Sequence, residues 1–128
     1  MAAAPAFAGT PNNTPIKVSA TADTSYTAPA TTVGCFTAGA SGSKVEEIVI
    51  MGNGTTVLGV INVFIKRSGT FYLFDSFNIP VVTPSTTAAN GRWAKTYANL
   101  VLKNGDTLEA TSTVANQLAS IVALGADF

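Results

Sequence analysis

Residues 61–80, INVFIKRSGTFYLFDSFNIP, constrain this chain more than any other stretch. They read as a strand, a tight turn and a second strand. Side chains alternate across a strand. In 57–65 one face carries Val57, Gly59, Ile61, Val63 and Ile65, and the other Leu58, Val60, Asn62 and Phe64. In 70–79 one face carries Phe71, Leu73, Asp75, Phe77 and Ile79, and the other Tyr72, Phe74, Ser76 and Asn78. A sheet with one wet face alternates apolar with polar, yet here the second face is half apolar. Either loops or the N-terminal arm cover it, or another protein does. Each large apolar side chain left in water forgoes roughly 1.5–3 kcal/mol, and a large exposed patch marks an interface. The interface candidates are therefore Leu58, Val60, Phe64, Tyr72 and Phe74, with Trp93 and Tyr97 from a later strand.

Turn signals recur at the short spacing of a sandwich or barrel. Strands are expected at 16–22, 32–37, 44–52, 57–66, 70–79 and 92–98, with two more around the Asn104-Gly105-Asp106 turn and at 118–128. Asn53-Gly54 is a hairpin signal, and Pro80 and Pro84 end the 70–79 strand because proline cannot donate to a ladder. In 44–52, Val45, Glu47, Val49 and Met51 are expected on one face and Glu46, Ile48 and Ile50 on the other. Segment 115–123 is compatible with helix or strand, and its place just after a strand favours strand. The sum is an all-β, single antiparallel β-sandwich of about eight strands, in the jelly-roll form. An immunoglobulin-like sandwich is the close alternative, but Trp93 stands too late for that pattern. Residues 1–15 read as an extended N-terminal arm broken by Pro5, Pro11 and Pro15, and 16–128 as the sandwich domain.

Of 128 residues only 11% are charged, against about 25% in an ordinary domain. Thr, Ser and Asn carry the polarity, and the formal net charge is zero. No Lys/Arg cluster exceeds Lys66-Arg67, so the footprint of a nucleic-acid binder is missing. No run approaches the ~20 apolar residues of a membrane span. The Ala-rich start lacks the positive region of a signal peptide, so synthesis in the cytoplasm is expected.

The chain has no His, which removes the commonest general base, the Ser-His-Asp and Cys-His nucleophile systems and most catalytic zinc sites. The single Cys35 reads as a small buried apolar residue. Glu46 and Glu47 are strand neighbours and point to opposite faces. Asp75 reads as a strand residue neutralised by a cation, with Arg67 or Arg92 as candidates. No catalytic, metal or cofactor residue is expected. Arg92, Trp93, Lys95 and Tyr97 are also compatible with a sugar-stacking platform.

Residues 42–128 resemble small tailed-bacteriophage virion proteins of β-sandwich type, the capsid decoration or cement proteins. The resemblance rests on ordered pieces: Gly42, Val45, Ile48 and Ile50, then GVINVFI (59–65), Gly69, YLFD (72–75), a Thr/Pro loop before Trp93, LKNGDTLEAT (102–111) and the finish GADF (125–128). It implies a non-enzymatic structural protein on the capsid surface of a virion. Such a protein would form a homo-oligomer, favoured as a trimer, that bridges major capsid proteins and touches neither nucleic acid nor membrane. An arm carrying Pro5, Phe7, Pro11 and Pro15 would contact the capsid. The alternatives are a tail, neck or fibre component, or a carbohydrate-binding host-attachment module.

Overall fold

The computed structural model describes residues 9–128, so Pro5 and Phe7 lie outside the described residues. The described chain is all β, with no helix long and apolar enough to cross a membrane. Nine strands follow in order: β1 (Thr10–Asn12), β2 (Ile16–Lys17), β3 (Val33–Thr37), β4 (Ser43–Gly52), β5 (Gly59–Arg67), β6 (Thr70–Ile79), β7 (Arg92–Leu102), β8 (Thr107–Ser112) and β9 (Ala119–Asp127). They form two antiparallel sheets. One runs β1-β9-β4-β7, with β2 also on β9, and the other runs β3-β8-β5-β6. Side chains from both sheets meet in one core, including Ile48, Ile50 and Ile121 from the first and Phe36, Ile61, Val63 and Leu108 from the second. The molecule is a β-sandwich. The ambiguous 115–123 segment contains no helix; its second half begins β9.

The β5–β6 turn is Ser68-Gly69, and both residues have positive φ (51° and 78°). Two-residue hairpin turns of the primed type demand this backbone. Cys35 is fully buried in the core, and its thiol donates to the Leu108 carbonyl at 3.4 Å. Burial pushes that thiol's pKa up to about 12.

Two irregularities change the faces that strict alternation gives. In β4 the register shifts between Val45 and Glu47 against both neighbours. Val45 therefore joins Ile48 and Ile50 in the core instead of sharing a face with Glu47. In the β5–β6 ladder, Val63 faces Asp75 while Phe64 faces Leu73, which leaves Phe74 as the extra residue of a bulge. One extra residue inverts the alternation beyond it. Phe71 and Leu73 therefore share a face with Phe64, not with Phe77 and Ile79.

The strand lengths divide the sandwich into two unlike sides. On one side the sheets end in β1, β2 and β3, which are two to five residues long. On the other side they end in β6 and β7, of 10 and 11 residues. Residues 10–12 of the expected arm pair with this chain's own β9, with Pro11 opposite Ala126. Pro15 follows as an exposed residue before β2.

Candidate interaction surface

The long edges β6 and β7 belong to different sheets, and the seam between them is bridged by side chains. The inward positions in the first half of β7 are Trp93, Lys95 and Tyr97, set by the pairing of Trp93 with Ile50 and Lys95 with Ile48. At a sheet edge, inward residues reach the opposite sheet instead of the middle of the core. The Lys95 ammonium donates to Asp75 Oδ1 at 2.8 Å and to the Ser76 carbonyl at 2.7 Å. It also sits 4.7 Å from the centroid of the Phe77 ring. The Tyr97 hydroxyl donates to Asp75 Oδ2 at 2.6 Å, and its ring tilts against Phe74 at 5.2 Å. Between Tyr97 and Leu100 the ladder with β4 breaks: Leu100 faces Val45 and Thr96 faces Glu47. Beyond that break Leu100 and Leu102 return to the core.

Asp75 is the hub of the seam. Partial burial works to raise its carboxyl pKa, but hydrogen bonds from Lys95, Tyr97 and the Ser76 N–H together hold it below the ordinary carboxylate value. Burial, and then the neighbouring Asp75 carboxylate, push the Tyr97 phenol upward. The cluster is therefore a carboxylate held between an ammonium and a neutral phenol. The expected partners Arg67 and Arg92 are engaged elsewhere. Arg67 grips Asp106 with Nε and Nη2, at 2.9 and 2.6 Å, and Arg92 lies 4.0 Å from Glu47.

Above this cluster the seam opens into an apolar groove of about 610 Å³, lined by Leu58, Gly59, Val60, Asn78, Ile79, Pro80 and Trp93. A second hollow, of about 370 Å³, continues past Asn78 and Trp93 to Lys95. A third, of about 350 Å³, lies beside Phe74 and Tyr97. The six-membered ring of Trp93 rests on Gly91, where a side chain at 91 would collide with it.

The structure thus gathers five of the seven expected interface residues along one seam: Leu58, Val60 and Trp93 in the groove, and Phe74 and Tyr97 below it. The other two lie elsewhere. Phe64 is 0% exposed, with its ring edge-to-face on Phe71 at 6.0 Å, so no part of it is available to a second molecule. Asn62 on the same face is also fully buried. The loop before β3 is tied to the outward side of this sheet, its Thr32 hydroxyl donating to Glu109 at 2.6 Å. Tyr72 is exposed but stands opposite Ile65, near the hairpin tip and away from the groove.

Sequence reasoning missed Thr56 and Gln117, polar turn residues that are almost wholly buried and join loops at the groove end. Nothing in the sequence separates them from exposed turn residues. Among the described residues no group of three His, Cys, Asp or Glu side chains is placed to hold a metal ion. No protein-family model, curated protein or solved structure matches this chain.

Proposed function

We propose that this chain is a non-enzymatic structural protein of a virion, a capsid decoration protein that binds the outer shell and stabilises contacts between major capsid proteins. The observation that carries this reading is the β6–β7 seam. It is a pre-formed apolar groove between the loop-end of the β5–β6 hairpin and Trp93 of β7, flanked by a cation and a carboxylate that are already paired with each other. Such a surface offers shape and apolar area to another protein, and no group free to do chemistry. The strand order supports the jelly-roll form of the sandwich. With β1 and β2 counted as one interrupted strand, four strands lie in each sheet, in the orders 1-9-4-7 and 3-8-5-6. The resemblance of residues 42–128 to small virion proteins supports the location.

A protein that binds only the assembled shell stabilises it by mass action. Weak bridges repeated over a lattice reinforce one another through multivalency. The test is to mix purified protein with purified shells that lack it. Saturable, stoichiometric addition with raised shell stability supports the reading, and failure to bind refutes it. A tail, neck or fibre location is the nearest rival and would show as binding to those parts alone. A sugar-binding module is favoured by one observation, the indole of Trp93 in an open groove with Arg92 and Lys95 beside it. Glycan-dependent quenching of the single Trp would decide for it.

A further inference from the structure

Three asparagines of this chain are followed by glycine: Asn53-Gly54, Asn90-Gly91 and Asn104-Gly105. In such a pair the glycine nitrogen can attack the carbon of the asparagine side-chain amide, because no Cβ on the second residue hinders the approach. The attack needs a free side-chain amide and a peptide group able to turn over. The fold withholds both from two of the pairs. The Asn53 N–H donates to the Leu118 carbonyl at 3.0 Å, and its side-chain amide donates to Ser120 Oγ at 3.3 Å. Gly54 packs so closely on Leu118 that a Cβ there would lie 2.8 Å from Cδ1. Asn90 Oδ1 is buried, the Gly91 carbonyl accepts from the Gly52 N–H at 2.7 Å, and Gly91 is pressed against the Trp93 ring.

Asn104-Gly105 is the contrary case. It forms the tip of the turn between β7 and β8. The base of this turn is fastened: the Asp106 N–H donates to the Lys103 carbonyl at 3.0 Å, and the Lys103 N–H to Asp106 Oδ2 at 2.9 Å. Gly105, with φ of 87°, is the third residue of a type II turn. Both tip residues are exposed, and Asn104 enters none of the side-chain bonds that fasten the base. A Cβ on Gly105 would meet nothing within 4 Å. The 104–105 peptide group can therefore turn over while the base stays closed. The hollow beside the tip, of about 380 Å³, is lined by Arg67, Lys103 and Asp106, two cations to one carboxylate. Excess positive charge favours the negative charge that develops on an attacked amide.

We infer that Asn104 is a site of spontaneous covalent modification, the place where the folded chain deamidates. The Gly105 nitrogen gives up its proton and bonds to Asn104 Cγ. The bond from Cγ to Nδ2 breaks, and Nδ2 departs as ammonia, taking up a proton in place of the one released. Water then opens the resulting five-membered imide at either of its carbonyls. The products are an aspartyl or an isoaspartyl residue at position 104, and no oxidant or reductant takes part. Either product adds one negative charge to a chain whose formal net charge is zero. The isoaspartyl form also inserts a backbone methylene into the turn that Arg67 and Asp106 hold, and so lengthens the β7–β8 connection. This tip follows the Leu102 end of β7, whereas the groove lies at its Trp93 end. The inference thus stands apart from the shell-binding reading.

The experiment is to age the folded full chain in mildly alkaline buffer, beside the same chain in guanidinium chloride, and to map the three Asn-Gly pairs by peptide mass spectrometry. In denaturant the three should react at similar rates. In the folded chain Asn104 should react at least about tenfold faster than Asn53 or Asn90, whose surroundings must open first. Asn104→Gln needs a larger ring for the same attack. It should keep the melting temperature of the wild type and lose most of the acidic species that isoelectric focusing resolves. An Asn104 that stays intact in the folded chain, or reacts no faster than the other two, overturns the inference. Full retention of the acidic species in Asn104→Gln overturns it equally.

Discussion

The carboxylate of Asp75 on β6 and the hydroxyl of Tyr97 on β7 lie 2.6 Å apart and join the last strand of one sheet to the last strand of the other. Lys95 reaches the other oxygen of the same carboxylate. The open side of the sandwich is thus clasped at one acidic residue. Hydrogen bonds to charged groups contribute about 1.5–3 kcal/mol when buried, and the partly exposed Lys95 side contributes less. Asp75→Ala should therefore lower stability by about 2 kcal/mol, and Asp75→Asn by less, because an amide oxygen still accepts from Tyr97. Urea unfolding monitored by circular dichroism measures both. An unchanged midpoint in Asp75→Ala would mean that apolar packing alone holds the seam.

Acid should weaken the fold through four carboxylates held below their ordinary value of 3.8. The N–H groups of Thr31 and Ser25 act on Asp23, Arg67 acts on Asp106, and Ser43 and Asn12 act on Asp127. For Asp75, Lys95 and Tyr97 outweigh burial. A carboxyl with a lowered folded-state pKa stabilises the fold above its unfolded value, and that contribution is lost as pH falls through the folded value. Stability should hold down to about pH 4 and drop below it. With no His in the chain, it should stay nearly flat between about pH 5 and 8. Denaturant midpoints across this range give the profile, and a rise in stability on acidification would contradict it.

Phe64 and Tyr72 should behave oppositely, although both were read from the sequence as interface residues. Phe64→Ala empties a fully buried site and should cost about 3–5 kcal/mol. Tyr72→Ala removes a side chain that is 57% exposed and should cost less than about 1 kcal/mol. Chemical denaturation of the two variants compares them directly. Equal costs would show that the hairpin is buried differently from the structure described above.

Gly91→Ala should move the indole of Trp93, because a methyl group at 91 would occupy the space of its six-membered ring. The ring borders an open groove and can swing outward. Trp93 emission should shift to the red, while stability falls by about 1 kcal/mol, the low end of the overpacking range. Trp93 is the only tryptophan, so the emission reports this site alone. Unchanged emission would mean that the backbone at 91 gives way instead.

The all-β class and most strand positions were legible because Gly, Asn-Gly and Pro punctuate a chain rich in branched and aromatic residues. The 92–98 segment, which alternates weakly, proved to be the start of an 11-residue strand. Faces were legible only between bulges. Nothing in YLFDSF announces that Phe74 is the extra residue of a ladder, and nothing in VEEI announces a shift after Val45, because a bulge is a property of two paired strands. Trp93 and Tyr97 were singled out for residue type and proximity. Asp75, which draws Lys95 and Tyr97 across the seam, required the topology that sets β6 beside β7. The polar stitching by Thr56 and Gln117 depends on contacts between loops far apart in sequence, which no local pattern encodes.

The lone Cys35 gives the molecule an internal clock. Thiol reagents attack the thiolate, and this thiol is both shut away from solvent and held protonated to about pH 12. Its modification must wait for β3 and β8 to part. The rate at which a reagent consumes the one thiol then reports the population of the opened strand pair, and its opening rate once the reagent is concentrated enough to outpace reclosing, with no mutation and no added label.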